Sequence, residues 1–313
     1  IPESRYDVLI PNEVGFSLPK ENLRSDMHKG FDASIMWTDH INDFNYSVGG
    51  NITYSRFWDW EQYKPRFSNS WDEYRNSIWH RVGYVNWGYE AVGRFDSWEQ
   101  IANYPIDNDR KGNRTVVPGD IMYKDQNNDG VINYLDERPI GYRVDSTPTL
   151  NFGINLAASW KGFDLAMDWT GSGMTSWNQC WETARPFQND GNSPDEVLKD
   201  AWHLSDIWDA DSPLIAGKYP MVRLNSDETS AYDKSSYWLH NVTYLKLRNL
   251  EFGYTFPKTW LNRTGISNLR LFVSGTNLLT LSNLSVMDPE CASDNGLDYP
   301  PMRVINIGVN LKF

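Results

Sequence analysis

The stretch R-V-I-N-I-G-V-N-L-K-F, Arg303 to Phe313, decides how this chain is read. Ile305, Ile307, Val309, Leu311 and Phe313 share one parity; Asn306, Gly308, Asn310 and Lys312 share the other. Side chains of a strand alternate between faces, so one face is apolar and the other polar or small. Two architectures use such a strand. In a soluble sandwich the apolar face meets a second sheet. In a transmembrane barrel it meets lipid, and the polar face lines a wet interior.

The same alternation recurs along the chain. Phe31, Ala33, Ile35 and Trp37 alternate with polar or small neighbours, and so do Phe44, Tyr46, Val48, Ile52 and Tyr54 after a tight turn. Leu150 to Trp160 and Phe163 to Trp169 form a second such pair around Lys161-Gly162. In 242–256, Leu245 and Leu247 oppose the parity of Leu250, Phe252, Tyr254 and Phe256, which predicts a bulge near Arg248 and Asn249. The reading places strands near 5–10, 30–39, 44–56, 149–160, 162–171, 242–256, 268–279 and 303–313. Long loops fall near 11–29, 57–148, 172–241 and 280–302, and short turns lie between. Strict alternation of long and short connections is the up-and-down pattern of an outer-membrane barrel. Trp37, Phe44, Trp160, Phe163, Phe256 and Phe313 all fall at the short-turn end of their strands, as one interfacial girdle does. Each strand is about ten residues, the length a tilted membrane strand needs. The fold class expected is therefore all-β, an antiparallel transmembrane β-barrel.

Composition narrows the function. A net charge of −12 argues against nucleic acid as partner. No run approaches the length of a membrane-spanning helix. The chain opens on Ile1-Pro2 inside what reads as a strand end, so a piece of a longer protein is expected. The seven or eight strands would close only a narrow tube filled by its own side chains, which makes part of a larger barrel the economical reading.

Gly119-Asp120-Ile121-Met122-Tyr123-Lys124-Asp125-Gln126-Asn127-Asn128-Asp129-Gly130-Val131-Ile132 resembles the GDIKYKDxNxDGVI segment of SusC/RagA-type TonB-dependent transporters. Tyr244 to Tyr254 is similar to that family's YLRLKNLxLGY, and Ser274 to Leu279 to its SGxNLLT. Gly30-Phe31-Asp32, Trp87-Gly88-Tyr89 through Phe95, and Pro148 through Asn155 fall in family order as well. The resemblance implies the carboxyl-terminal part of a 22-stranded barrel with an amino-terminal plug. It also implies a SusD/RagB-like lipoprotein lid, energy from the TonB complex, oligosaccharide or peptide cargo, and an outer-membrane location with the long loops extracellular. The remaining amino-terminal part of the transporter would be a partner of this chain.

One cation site is argued from chemistry. Asp125, Asn127, Asp129, Gly130, Asn133 and Asp136 occupy positions 1, 3, 5, 6, 9 and 12 of an EF-hand-type loop, and the Val131 carbonyl supplies position 7. Oxygen ligands at alternate positions suit Ca²⁺, here as a structural ion stiffening a loop. Asp136 departs from the bidentate Glu of an EF-hand, leaving Glu137 as a competitor, and no helices flank the loop. The bland reading is an Asx-rich turn capping its own backbone.

Tryptophans are concentrated in two loops: Trp58, Trp60, Trp71, Trp79, Trp87 and Trp98 in one, Trp177, Trp181, Trp202, Trp208 and Trp238 in the next. Flat indoles stack on sugars, but most such rings build loop cores. No enzyme is expected: the histidines at 28, 40, 80, 203 and 240 lack metal spacing or a neighbouring nucleophile, and Asp164 and Asp168 fall on a polar strand face. Cys180 and Cys291 are read as a pair or as separate thiols. Three functions compete: an active importer, a passive porin, and a soluble calcium-dependent glycan-binding β-sandwich.

Overall fold

The computed structural model describes residues 25–61, 66–144, 147–224, 229–262, 265–290, 295–299 and 301–313. The strand expected near 5–10 and most of the 11–29 loop lie outside them. So does Cys291, and with it the pairing to Cys180.

Seven long strands carry the fold: β1 (Ser25–Ile41), β2 (Phe44–Glu61), β3 (Leu150–Trp160), β4 (Phe163–Asn178), β5 (Leu239–Thr255), β6 (Asn268–Ser282) and β7 (Val304–Lys312). They lie in one sheet in chain order, β1 to β7, each beside its neighbour in sequence. The pairs β3–β4, β4–β5, β5–β6 and β6–β7 are antiparallel. The turn between β3 and β4 is Lys161-Gly162 with φ of 47° and 92°. Two positive φ angles give a turn whose twist matches the strands it joins.

The chain forms two compact units. The first contains 25–32 of β1, 53–61 of β2 and the described part of 66–85. There Arg81–Val82 pairs with β2 at Trp58↔Val82 and Asp59↔Arg81, and a helix spans Ser70–Asn76, capped by Asn69. The second contains 33–52 and the residues from 86 onward, including β3 to β7.

Alternation is kept in register. Val273↔Ile307, Leu271↔Val309 and Leu269↔Leu311 set apolar residues side by side on β6 and β7, and Leu165↔Phe252 and Met167↔Leu250 do so on β4 and β5. Nothing among the described residues covers this face at β7, where Ile305 is 66% and Ile307 84% exposed. At the turn end of the strands the rings cluster: Phe163 lies 4.6 Å from Tyr254, and Tyr254 packs edge-on to Phe256 at 5.0 Å. The register of β5 shifts between Leu247 and Asn249, which restores the apolar parity across the break. A second shift, between Val242 and Tyr244 against β4, has no counterpart in the sequence reading.

β1 begins at Ser25, inside the segment read as the 11–29 loop, β6 runs to Ser282, and two further strands outrun their expected ends by five residues or more. β2 continues to Glu61 and β4 to Asn178, so Trp58, Trp60 and Trp177 are strand residues, not loop residues. The physical reason is that Arg56, Trp58 and Trp60 keep one parity and Phe57 and Asp59 the other. Backbone pairing follows that alternation rather than the change to bulkier side chains.

Candidate functional site

The loop segments on either side of β3 and β4 are structured. Ala91–Arg94 pairs with Ile121–Tyr123, and Trp87–Gly88 with Arg138–Pro139. A short helix, Trp98–Ala102, starts at Ser97, whose hydroxyl accepts the Gln100 N–H at 3.2 Å. A buried core joins Tyr89, Ile121, Tyr123 and Ile132 to Ala184, Val197, Ala201, Tyr219, Ala231, Tyr232 and Trp238. The segments 86–144 and 179–238 therefore share one interior. Several polar groups inside it are matched, while the buried Tyr232 hydroxyl has no hydrogen-bond partner among the described residues. Asn108 donates to the Ile121 carbonyl at 3.0 Å and accepts the Tyr123 N–H at 3.0 Å. Tyr123 donates to the Ser230 carbonyl at 2.7 Å, and Trp238 Nε1 to the Ala231 carbonyl at 2.8 Å. Asp120, fully buried, pairs with Arg223 at 2.6 Å and accepts the Val117 N–H at 3.0 Å.

The tryptophans divide between core and surface. Trp238, Trp177 and Trp202 are buried, while Trp79, Trp98, Trp181 and Trp208 are exposed. Trp177 stacks on His240 at 5.6 Å beside Val242 and Leu284. Next to it a cleft of about 460 Å³ is lined by Trp177, Glu182, Asp195, Glu196, Val286 and Met287.

The loop from Asp125 to Asp136 is held by its own side chains. Asp125 accepts the N–H groups of Asn128 at 2.6 Å and Gly130 at 2.8 Å. Asn127 Oδ1 accepts the Asp129 N–H, and Asp129 Oδ1 the Val131 N–H. Gly130 at φ 84° makes the sharp turn. Asn127 Nδ2 donates to Asp129 Oδ2 at 2.8 Å, and Asn133 Nδ2 to the Val131 carbonyl at 3.2 Å and to Asp129 Oδ2 at 3.5 Å. Positions 3, 5, 7 and 9 thus converge. Asp136 sits apart, buried, accepting the Gln126 and Asn133 N–H groups at 2.8 and 2.9 Å. No group of three or more His, Cys, Asp or Glu side chains that could hold a metal ion occurs among the described residues. The loop meets the cation chemistry in part: the Asp129 carboxylate and the Val131 carbonyl gather, but Asn127 and Asn133 turn their Nδ2 groups toward them and, like Asp125 and Asp136, give their oxygens to backbone N–H groups.

On the polar strand face, charges are paired. Lys246, 1% exposed, donates to Asp288 at 2.6 Å and Glu290 at 2.9 Å, and Arg248 bonds the other Glu290 oxygen. These contacts tie 284–290 to β5. Burial pushes the Glu290 carboxyl up, but its hydrogen bonds to Arg248 and Lys246 outweigh this and hold it below the usual range. Sequence reasoning missed this cluster, whose two halves lie on separate segments with no motif between them. Asp164 bonds Arg270, and Asp168 accepts from Asn155 at 2.7 Å, so the two carboxylates serve different partners. The histidines pack on rings or local groups: His28 on Phe57, His80 on Trp60, His40 beside Asp39, His203 on the Ala201 carbonyl and His240 on Gln179.

The fold matches part of solved transporter chains. Over 98% of its length the chain matches 31% of the chain in the structure of the RagAB peptide transporter, with TM-score 0.62 and 23% identity. The RagAB peptide importer in its open-open state gives TM-score 0.65. Among curated proteins, TonB-dependent receptor P3 of Formosa agariphila is 28% identical over 97% of this chain and 30% of its own length. The TonB-dependent receptor SusC of Bacteroides thetaiotaomicron is 24% identical over 75% of this chain. No family model matches. The resemblance to SusC/RagA-type TonB-dependent receptors read from the motifs is borne out by these relatives. The chain spans 30% of the length of P3 and 20% of SusC.

Proposed function

We propose that this chain is part of the wall and extracellular loops of an outer-membrane active importer of large nutrients, oligosaccharides or peptides. The observation that carries the reading is the uncovered apolar face that ends in Ile305, Ile307, Val309 and Leu311, backed by a polar face, on a sheet that follows chain order. A soluble sandwich needs a second sheet over those residues. The relatives' names support TonB-derived energy, and the RagAB titles support peptide as one cargo class. In this reading the rest of a 22-stranded barrel and its plug come from the remaining amino-terminal part. A SusD/RagB-like lipoprotein closes the mouth. A passive porin would lack the plug.

The test is a mass-spectrometric inventory of what co-purifies with the chain from native outer membrane in mild detergent. The importer predicts a plug-bearing polypeptide and a SusD-like lipoprotein, with bound cargo identifying glycan or peptide. A chain recovered soluble and alone without detergent would sink it in favour of a calcium-dependent glycan-binding module.

The proposal extends to the Asp125–Asp136 loop. Asn127, Asp129, the Val131 carbonyl and Asn133 would hold a structural Ca²⁺, with Asp125 and Asp136 turning from their caps to complete its oxygen shell. The proximity of positions 3, 5, 7 and 9 supports this, with the Asn127 and Asn133 amides rotating to present oxygen in place of Nδ2. Adding Ca²⁺ to chelator-treated protein should protect the Asn128–Ile132 amides from hydrogen exchange, and Asp129→Ala should abolish that protection. Identical exchange with and without Ca²⁺ would leave the loop an Asx-rich turn.

A further inference from the structure

Resting on the membrane reading above, we propose that Lys29 and Arg56, with Trp58 and Trp60, form a site for the phosphate of a glycolipid in the outer leaflet. All four lie in the first unit. Lys29 shares its parity with Phe31, and Arg56, Trp58 and Trp60 share theirs with Tyr54. Phe31 and Tyr54 stack at 5.8 Å, so both sets project from the apolar face. Along each strand they lie beyond that ring pair, away from the short-turn end. There the apolar residues give way to indoles and cations, the composition of a membrane interface.

Two cations converge on one ring. Lys29 Nζ stands 5.6 Å from the Trp58 ring centre and 5.0 Å from that of Trp60, and the Arg56 guanidinium is 5.7 Å from Trp58. Both are exposed. Neither makes an ion pair with a carboxylate among the described residues. Asp59 and Glu61 lie on the opposite parity of β2, as Asp26 does on β1. Ring contacts attract each cation but leave two positive charges side by side on a chain of net charge −12. An anion between them removes that repulsion, and arginine with lysine is the pairing that recognises phosphate.

The neighbouring surface favours a phosphate carried on a sugar. His80 stacks on Trp60 at 4.2 Å, and Trp79 lies 5.2 Å from His80. Trp79 is exposed, and with Trp60 and His80 it gives flat apolar faces of the kind a glycan headgroup covers. A diacyl phospholipid would use the cations and leave these rings bare.

The experiment titrates the delipidated, intact transporter in detergent with bisphosphorylated lipid A, followed by native mass spectrometry. Dephosphorylated lipid A and phosphatidylglycerol are the comparators. Removing the phosphates, or replacing both cations in Lys29→Gln/Arg56→Gln, is expected to weaken binding roughly 30-fold, the effect of two interfacial cations. The charge-preserving Lys29→Arg/Arg56→Lys protein, checked for heat-modifiable migration as a folded barrel, should keep its affinity. Equal lipid A binding by the Gln variant overturns the site. Phosphatidylglycerol binding as tightly as lipid A, with the same loss in the variant, overturns the glycolipid. Failure of the importer reading shows separately, as a chain that needs no detergent.

Discussion

Asp120 places a carboxyl in a fully buried position, held by Arg223 and the Val117 N–H. Burial pushes it up to about 6, against the pull of Arg223. The ordinary value is 3.8, so the folded state binds its proton more tightly than the unfolded one. The stabilisation from this group is thus fully present below 3.8 and lost as pH rises through about 6. Hydrogen exchange at Ile121 and Tyr123 should show weaker protection at neutral pH than near pH 4, beyond the intrinsic exchange rates, and Asp120→Asn should flatten that difference. Unchanged pH dependence in the variant would assign the effect elsewhere. A second residue-scale case is Gly253. Arg270 crosses over it to reach Asp164 and Glu251, occupying the space a β-carbon would take. Gly253→Ala should displace the guanidinium and cost about 1–3 kcal/mol, the range for leaving polar partners unmade. Urea unfolding of the detergent-solubilised protein reads this directly; a loss no larger than for an exposed-site alanine would show that Arg270 relocates freely.

At the scale of elements, the strands were legible where two parities could be compared. The bulge after Leu247 announced itself because Leu245 and Leu247 oppose Leu250 and Phe252, and the register shift falls there. The shift at Val242 was silent, since Gly171, Ser172 and Gly173 on the facing strand carry no apolar alternation to break. The EF-hand-like spacing was visible, but spacing does not say which lone pairs a carboxylate gives to its own backbone. Asp125 and Asp136 give theirs to N–H groups. Trp238 could not be told from its exposed neighbours in sequence, because its burial depends on Tyr219, Tyr232 and Tyr237 packing around it. Trp238→Ala should cost about 3–5 kcal/mol in the loop core and open 86–144 and 179–238 together to protease. Trp208→Ala, at a ring that is 90% exposed, should do neither. Cleavage confined to one segment would mean that the core does not couple them.

For the whole molecule, the two faces of β7 make opposite demands. Ile307 stands on the uncovered apolar face and Asn306 on the polar one. A lysine at a lipid-facing midplane position costs about 2–4 kcal/mol, so Ile307→Lys should impair refolding of the intact protein into lipid vesicles and Asn306→Lys should not. Equal effects at both positions would remove lipid from the apolar face. The single interior shared by the segments flanking β3 and β4 bears on how such a protein changes over time. A recombination event that exchanged 86–144 alone would strand Tyr89, Ile121, Tyr123 and Ile132 against foreign partners. The two segments are therefore heritable as one block, and a viable chimera must carry both across the breakpoint.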